Sequence, residues 1–157
     1  MMLTFFQWMN DLPFSKGLGA SVWQFAIIQA LHLVCLAFFA GGVLMLDLRL
    51  MGKVLKERPI AEVARNAQPW LIWGFLGLVV TGIPQMMQNA IREYYSAFFW
   101  IKMVFLFAAV IFTITLRRQV ALAGDNRMSF RTKAVGFVSM LLWLMVAAPA
   151  RLIGLFS

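Results

Sequence analysis

The stretch that decides the fold is "IIQALHLVCLAFFAGGVLMLDLRL", residues 27–50. Its first part, residues 27–46, contains no Asp, Glu, Lys or Arg. A hydrocarbon core of about 30 Å is crossed by about 20 helical residues, so this run is long enough to span a membrane. The rest of the chain has the same character, since 62% of its residues are hydrophobic and only 13% are charged. Soluble domains are far less apolar, so we expect an integral membrane protein.

Four windows of the chain are apolar enough to cross the bilayer. None of them alternates apolar and polar residues with period two, which favours helices over a β-barrel. A helix satisfies all its backbone hydrogen bonds within its own segment, as the membrane interior requires. The sequence therefore predicts an all-α fold, a four-helix membrane bundle that forms one transmembrane domain over residues 1–157. The predicted spans lie near 21–46, 70–91, 97–116 and 134–155.

Two shorter helices are predicted outside the spans. The opening "MMLTFFQWMNDLPFSKGLG", residues 1–19, lacks the basic start and cleavage site of a signal peptide, so we expect it to be retained. Its aromatic residues favour a short interfacial helix that ends near Pro13. The second segment, "RPIAEVARNAQPW" at residues 58–70, predicts a cytoplasmic amphipathic helix that Pro69 ends.

Most of the positive charge lies in two connections between spans. The chain has 14 Lys and Arg against 6 Asp and Glu, a net charge of +8. The positive-inside rule places both connections in the cytoplasm and both termini outside. This pattern requires only a modest attraction to anionic lipid, so we expect the lipid bilayer, and not nucleic acid, as a partner. The basic residues are Arg49, Lys53, Lys56, Arg58 and Arg65 in the first connection, and Arg117, Arg118, Arg127, Arg131 and Lys133 in the second.

The single histidine, His32, lies in the middle of the first span. If that helix begins at Ser21, His32 is about 16 Å along it, at about 1.5 Å per residue. An ionisable side chain at this depth is a functional candidate, although a hydrogen bond to a neighbouring helix is the plainer explanation. Gln29 and Cys35, three residues to either side, share its face.

The other spans are expected to carry polar or soft side chains to a similar depth. Each has a purely structural alternative. In these alternatives the cations extend to the lipid headgroups, the glutamines hydrogen-bond to neighbouring helices, and the methionines only fill space in the packing. At the cytoplasmic end of the first span, Asp47 and Arg49 are expected to form a local ion pair. The residues that the antiparallel order brings to this half of the membrane are Thr81, Gln85, Met86, Met87, Gln88, Lys102 and Arg151.

A neutral imidazole in the membrane can bind a metal or haem iron with one ring nitrogen while a neighbour holds the other. Haem b would suit the Phe-rich helices, with Lys102 or Arg151 at its propionates and Gln29 and Gln85 as further contacts. One histidine leaves the other axial position to Met, another weak ligand, water, a second chain or nothing. Copper is the competing cofactor, because imidazole and thioether ligands suit Cu(I). The residues of that alternative site are His32, Met86 and Met87.

Three stretches carry a resemblance to known families: "SVWQFAIIQALHLVCLAFFAGGVLMLDLRLMG" at 21–52, then "PW…G…TG", then "FFWIKM" at 98–103. They look like a group of small bacterial membrane proteins that is similar to the CopD-type copper-resistance membrane domain. More distantly, the chain resembles HemJ-type protoporphyrinogen oxidases. The HemJ likeness implies that His32 is the haem or porphyrin ligand and Lys102 a second functional residue. The CopD likeness implies copper handling, and both imply the bacterial inner membrane.

The leading hypothesis is a small haem b protein for electron transfer or redox sensing. Protoporphyrinogen oxidation and copper binding or transport are the alternatives, so whether the protein is an enzyme stays open. A further alternative is an accessory subunit of a larger membrane complex, or a homo-oligomer, that packs through small residues. These residues are Gly41, Gly42 and the glycines of "GFLGLVVTG" at 74–82.

Overall fold

The protein is an all-α, multi-pass membrane protein. The computed structural model describes residues 2–123 and 129–156, without the side chains of residues 14, 18–20 and 150–156, and these ranges contain no strand. Four helices are long and apolar enough to span a membrane: Val22–Leu50, Ile60–Gln88, Ala97–Leu122 and Phe130–Pro149. The elements are α1 (Met2–Asp11), α2 (Pro13–Ala20), α3 (Val22–Leu50), α4 (Ile60–Gln88), α5 (Ala90–Tyr95), α6 (Ala97–Phe112), a π-helical segment (Thr113–Arg117), α7 (Arg118–Leu122) and α8 (Phe130–Phe156).

The four long helices form two pairs. Helix α3 packs against α4, α6 packs against α8, and contacts between α3 and α8 join the pairs. Large apolar side chains are exposed along all four helices, as expected for surfaces that contact lipid. Both the helical fold class and the four spans predicted from the sequence are confirmed, while the orientation in the membrane stays a prediction.

Close contact between α3 and α4 depends on glycine. A Cβ atom on Gly74 would lie 3.0 Å from the backbone nitrogen of Phe39 and 2.9 Å from its Cβ. At Gly77 a Cβ would overlap the Cys35 sulfur. Small residues let helix backbones approach in this way in membranes, where van der Waals packing drives association. The glycines of "GFLGLVVTG" therefore serve contacts within the bundle.

The short N-terminal helix is confirmed and covers one end of the bundle. Phe6 and Met9 of α1 are buried against Ala90 and Phe99. Ser15 of α2 is also buried, and its hydroxyl donates to the backbone oxygen of Met87 at 2.9 Å. We call this the α5 end. We call the opposite end, formed by residues 51–59, 118–123 and 129–133, the basic end.

The expectation that Pro69 ends a separate amphipathic helix was wrong. Helix α4 runs without interruption from Ile60 to Gln88, through both Pro69 and Pro84. A proline inside a helix removes one backbone hydrogen bond. Here the residues before Pro69 are held by tertiary packing, because Ile60, Val63 and Ala64 belong to a buried cluster with α3 and α8. The amphipathic segment is thus the first part of the second spanning helix.

Candidate functional site

His32 lies at the interface between α3 and α4, towards the α5 end. Its side chain is partly buried. A Cβ atom on Gly82 would lie 3.4 Å from the ring atom Cε1, so the glycine leaves room for the imidazole against α4. The structure therefore places the ring between two helices, and its environment is set by α4 as much as by its own helix.

His32 forms the hydrogen bond to a neighbouring helix that the sequence analysis gave as the alternative, and its partner is Thr81, which was expected at a similar depth but not chosen as a site residue. His32 Nδ1 lies 2.7 Å from Thr81 Oγ1, and the Thr81 hydroxyl donates to the Gly77 carbonyl at 2.6 Å. A hydroxyl carries one hydrogen, so Thr81 can only accept from His32. This network assigns the proton to Nδ1 and leaves the lone pair on Nε2.

A charged pair lies beyond the imidazole. Lys102 on α6 is partly buried, and its charge acts on both His32 and Glu93. Burial raises the pKa of Glu93 to about 7, although the positive charge of Lys102 opposes this effect. Sequence reasoning selected Lys102 but missed Glu93, which α5 turns towards the bundle between two spans. Lys102 therefore lies close enough to influence both the imidazole of His32 and the carboxyl group of Glu93, which ionises around neutral pH.

The raised pKa of Glu93 predicts a pH-dependent stability. The ordinary pKa of a glutamate is 4.5, so between this pH and about 7 the folded protein keeps a proton that the unfolded chain has lost. Stability should therefore fall as the pH rises through this window and level off above it. Glu93→Gln should remove this slope and be more stable than the wild type at pH 8, measured by thermal unfolding in detergent. Glu57→Gln, at an exposed position, is the control; an unchanged slope in Glu93→Gln would contradict the prediction.

The other predicted site residues lie in several different environments. Gln29 is exposed on α3. The Gln85 side chain donates to the Thr81 carbonyl of its own helix at 3.2 Å. Met86 and Met87 pack against the buried cluster at the α5 end. Arg151 lies on α8, but its side chain is outside the part of the chain that the structure describes.

A second polar cluster lies at the basic end, on three different helices. Arg117 Nε is 2.8 Å from Asp47 Oδ1, and the two side chains are 2% and 0% exposed. Arg117 Nε and Asp47 Oδ1 are within ion-pair distance, but their geometry is not that of a hydrogen bond. The hydroxyl group of Ser139 is also buried and has no aligned hydrogen-bond partner among the described residues. Arg117 Nη2 donates to the Val43 carbonyl at 3.2 Å. A buried, ion-paired cluster inside a membrane protein is unusual, because charges there are costly.

The predicted local ion pair between Asp47 and Arg49 was wrong. Residues two apart on a helix do not face each other, so Asp47 points into the bundle and Arg49 points elsewhere. The Arg49 guanidinium donates to the Arg58 carbonyl through Nε at 2.9 Å and Nη2 at 2.6 Å. It thereby holds the connection between α3 and α4 against the end of α3. In the residues that the structure describes, no group of three His, Cys, Asp or Glu side chains could hold a metal ion.

Comparisons with known proteins identify a family whose function is unknown. Neither the curated proteins nor the solved structures gave a match to this chain. One family model, described as a family of unknown function (DUF6644), matches residues 5–157. That match covers His32, Thr81, Glu93 and Lys102 as well as the Asp47–Arg117 pair. The chain therefore belongs to the DUF6644 family.

Proposed function

We propose that this protein binds haem b within the membrane, with His32 as an axial ligand, and that it transfers electrons or senses redox state. The observation that carries the proposal is the hydrogen-bond network of Thr81. Because Thr81 uses its own hydrogen on Gly77, it accepts the Nδ1 hydrogen of His32. A metal-binding imidazole in proteins has this arrangement, with one nitrogen held by a neighbour and the other presenting a lone pair.

The surrounding residues suit such a group in charge and polarity. Bound haem supplies a one-electron couple whose potential depends on its axial ligand and surroundings. Lys102 supplies a positive charge near His32 that could pair with a haem propionate. Glu93 interacts with Lys102 and gains a negative charge when it loses its proton. Arg151, Gln29 and Gln85 are proposed as secondary contacts. Thr81 keeps the imidazole ring in one orientation, and Gly82 keeps α4 close to it.

The proposal also concerns partners and location. A single chain supplies one histidine, so the other axial position belongs to a weak ligand, to water, or to His32 of a second copy. A homo-oligomer or a larger redox complex in the bacterial inner membrane is proposed on this basis.

The direct test is the absorption spectrum of the purified protein. After expression with adequate haem, the wild type should show a Soret band, and His32→Ala should lose it because Nε2 is gone. Cys35→Ala, one turn along the same interface, is the matched control and should keep the band. A colourless wild type, or a Soret band that persists in His32→Ala, would overturn the proposal. The proposal would also be overturned if the purified wild type contained copper and no haem, and if replacing Met86 and Met87 together removed that copper.

A second substitution tests the role of Thr81. Thr81→Val should weaken haem binding by about 10-fold to 100-fold, because the Nδ1 hydrogen loses its acceptor and the ring loses its orientation. Thr81→Ser keeps the hydroxyl and should bind almost as the wild type does. Haem titration of the apoprotein measures the difference. Equal affinities for the valine and serine variants would show that the threonine does not orient a ligand.

A further inference from the structure

A cavity of about 390 Å³ lies in the half of the bundle towards the basic end. It is bounded by Phe39 of α3, Phe75 of α4, Thr113 of the π-helical segment and Trp143 of α8. His32 is not among the residues that line it, so this cavity is distinct from the candidate haem site. Its volume is within the usual range for pockets that bind small molecules.

The mouth of the cavity opens between α4 and the segment from α6 to α7. The exposed residues that line it there are apolar except for Gln68 and Arg118, and they lie on the outer surface of spanning helices. An opening with this lining, on helices long and apolar enough to span a membrane, would face the acyl chains of the bilayer. The exposed apolar residues of the mouth are Ile72, Leu76, Ile114 and Leu122.

One end of the mouth carries a cation. Arg118 lines the cavity and is exposed, and it forms no ion pair with any residue in the described part of the chain. Its neighbour Arg117 is different, because Asp47 compensates its charge. Arg118 begins α7, which ends four residues later at Leu122, so it lies about 6 Å from the helix end at about 1.5 Å per residue. This depth suits a lipid phosphate.

We propose that the cavity binds one acyl chain of an anionic phospholipid, whose phosphate pairs with Arg118. The apolar walls accept the chain, the open mouth connects it to the bilayer, and the unpaired arginine selects the negative headgroup. Other basic residues at the same end, among them Lys53 and Arg131, raise the local concentration of anionic lipid without touching the cavity.

Native mass spectrometry from mild detergent tests the acyl-chain part. The wild type, given phosphatidylglycerol and phosphatidylcholine with the same chains, should retain one phosphatidylglycerol molecule. Ile114→Trp fills the mouth and should lower retention severalfold. Ile111→Trp is the matched control, because Ile111 is 58% exposed on the same helix, against 60% for Ile114, and does not line the cavity. Equal retention by the two tryptophan variants would overturn the proposal.

The headgroup is tested with a second matched pair. Arg118→Gln should reduce the preference for phosphatidylglycerol about fivefold, which corresponds to about 1 kcal/mol per basic residue. Arg131→Gln, an exposed arginine at the same end that does not line the cavity, should leave the preference almost unchanged. If both variants lose the preference equally, or if the wild type retains both lipids equally, the specific site is excluded.

Discussion

Replacing Arg117 with methionine is expected to lower the free energy of unfolding by about 3–5 kcal/mol, the range for removing one partner of a buried ion pair. Asp47, at a position that is 0% exposed, would lose its counter-ion, so its carboxyl group would either stay buried as an uncompensated charge or take up a proton to fold. Ser139 cannot replace the arginine, because a hydroxyl carries no charge. Unfolding of the detergent-solubilised protein, followed by circular dichroism, measures the loss.

The double substitution shows whether the loss comes from charge. Asp47→Leu combined with Arg117→Met removes both charges, and it should recover most of the lost stability because well-packed apolar residues often replace a buried ion pair without cost. Arg131→Gln, at an exposed position of α8, is the control and should stay within about 0.5 kcal/mol of the wild type. A double variant as unstable as Arg117→Met would show that shape, and not charge, determines the effect.

Replacing Gly74 with leucine is the other change with a large expected effect. The first side-chain atom would already lie 3.0 Å from the Phe39 nitrogen and 3.1 Å from its Cα, and a backbone cannot rotate away as a side chain can. Helices α3 and α4 must separate, which should destabilise the protein by about 1–3 kcal/mol or more. The separation should also weaken haem binding, since the same interface holds Thr81 against His32.

Gly41 provides the control for Gly74, because nothing lies within 4 Å of a Cβ at that position. Gly41→Leu should be neutral or slightly stabilising, since glycine inside a helix costs about 0.5–1 kcal/mol relative to alanine. Thermal unfolding of the two leucine variants, with haem titration of each, gives both comparisons. If Gly41→Leu is as unstable as Gly74→Leu, the glycine at position 41 packs against another chain, and the control prediction is wrong.

The spans were predictable because each depends on properties of one segment. A membrane helix must be long and apolar, and both quantities can be counted along the chain without knowing its neighbours. The boundaries were less accurate at α4, where Pro69 suggested an end that the packing of Ile60 and Val63 overrides. His32 was predictable as a candidate because one histidine in an apolar run stands out. Its partner Thr81 was not, because 49 residues separate them and only the rotation of α4 brings them together.

The sequence by itself determined that this protein is helical, has four segments able to cross a membrane and carries one imidazole in an apolar span. These features follow from side-chain hydrophobicity and helix length, which act locally. Only the tertiary structure decided that Asp47 pairs with Arg117 and not with Arg49, and that Nδ1 of His32 faces the Thr81 hydroxyl. Both outcomes depend on which faces of α3, α4 and the π-helical segment meet. Those faces are chosen by close packing at residues such as Gly74, whose role appears only when two helices are in contact.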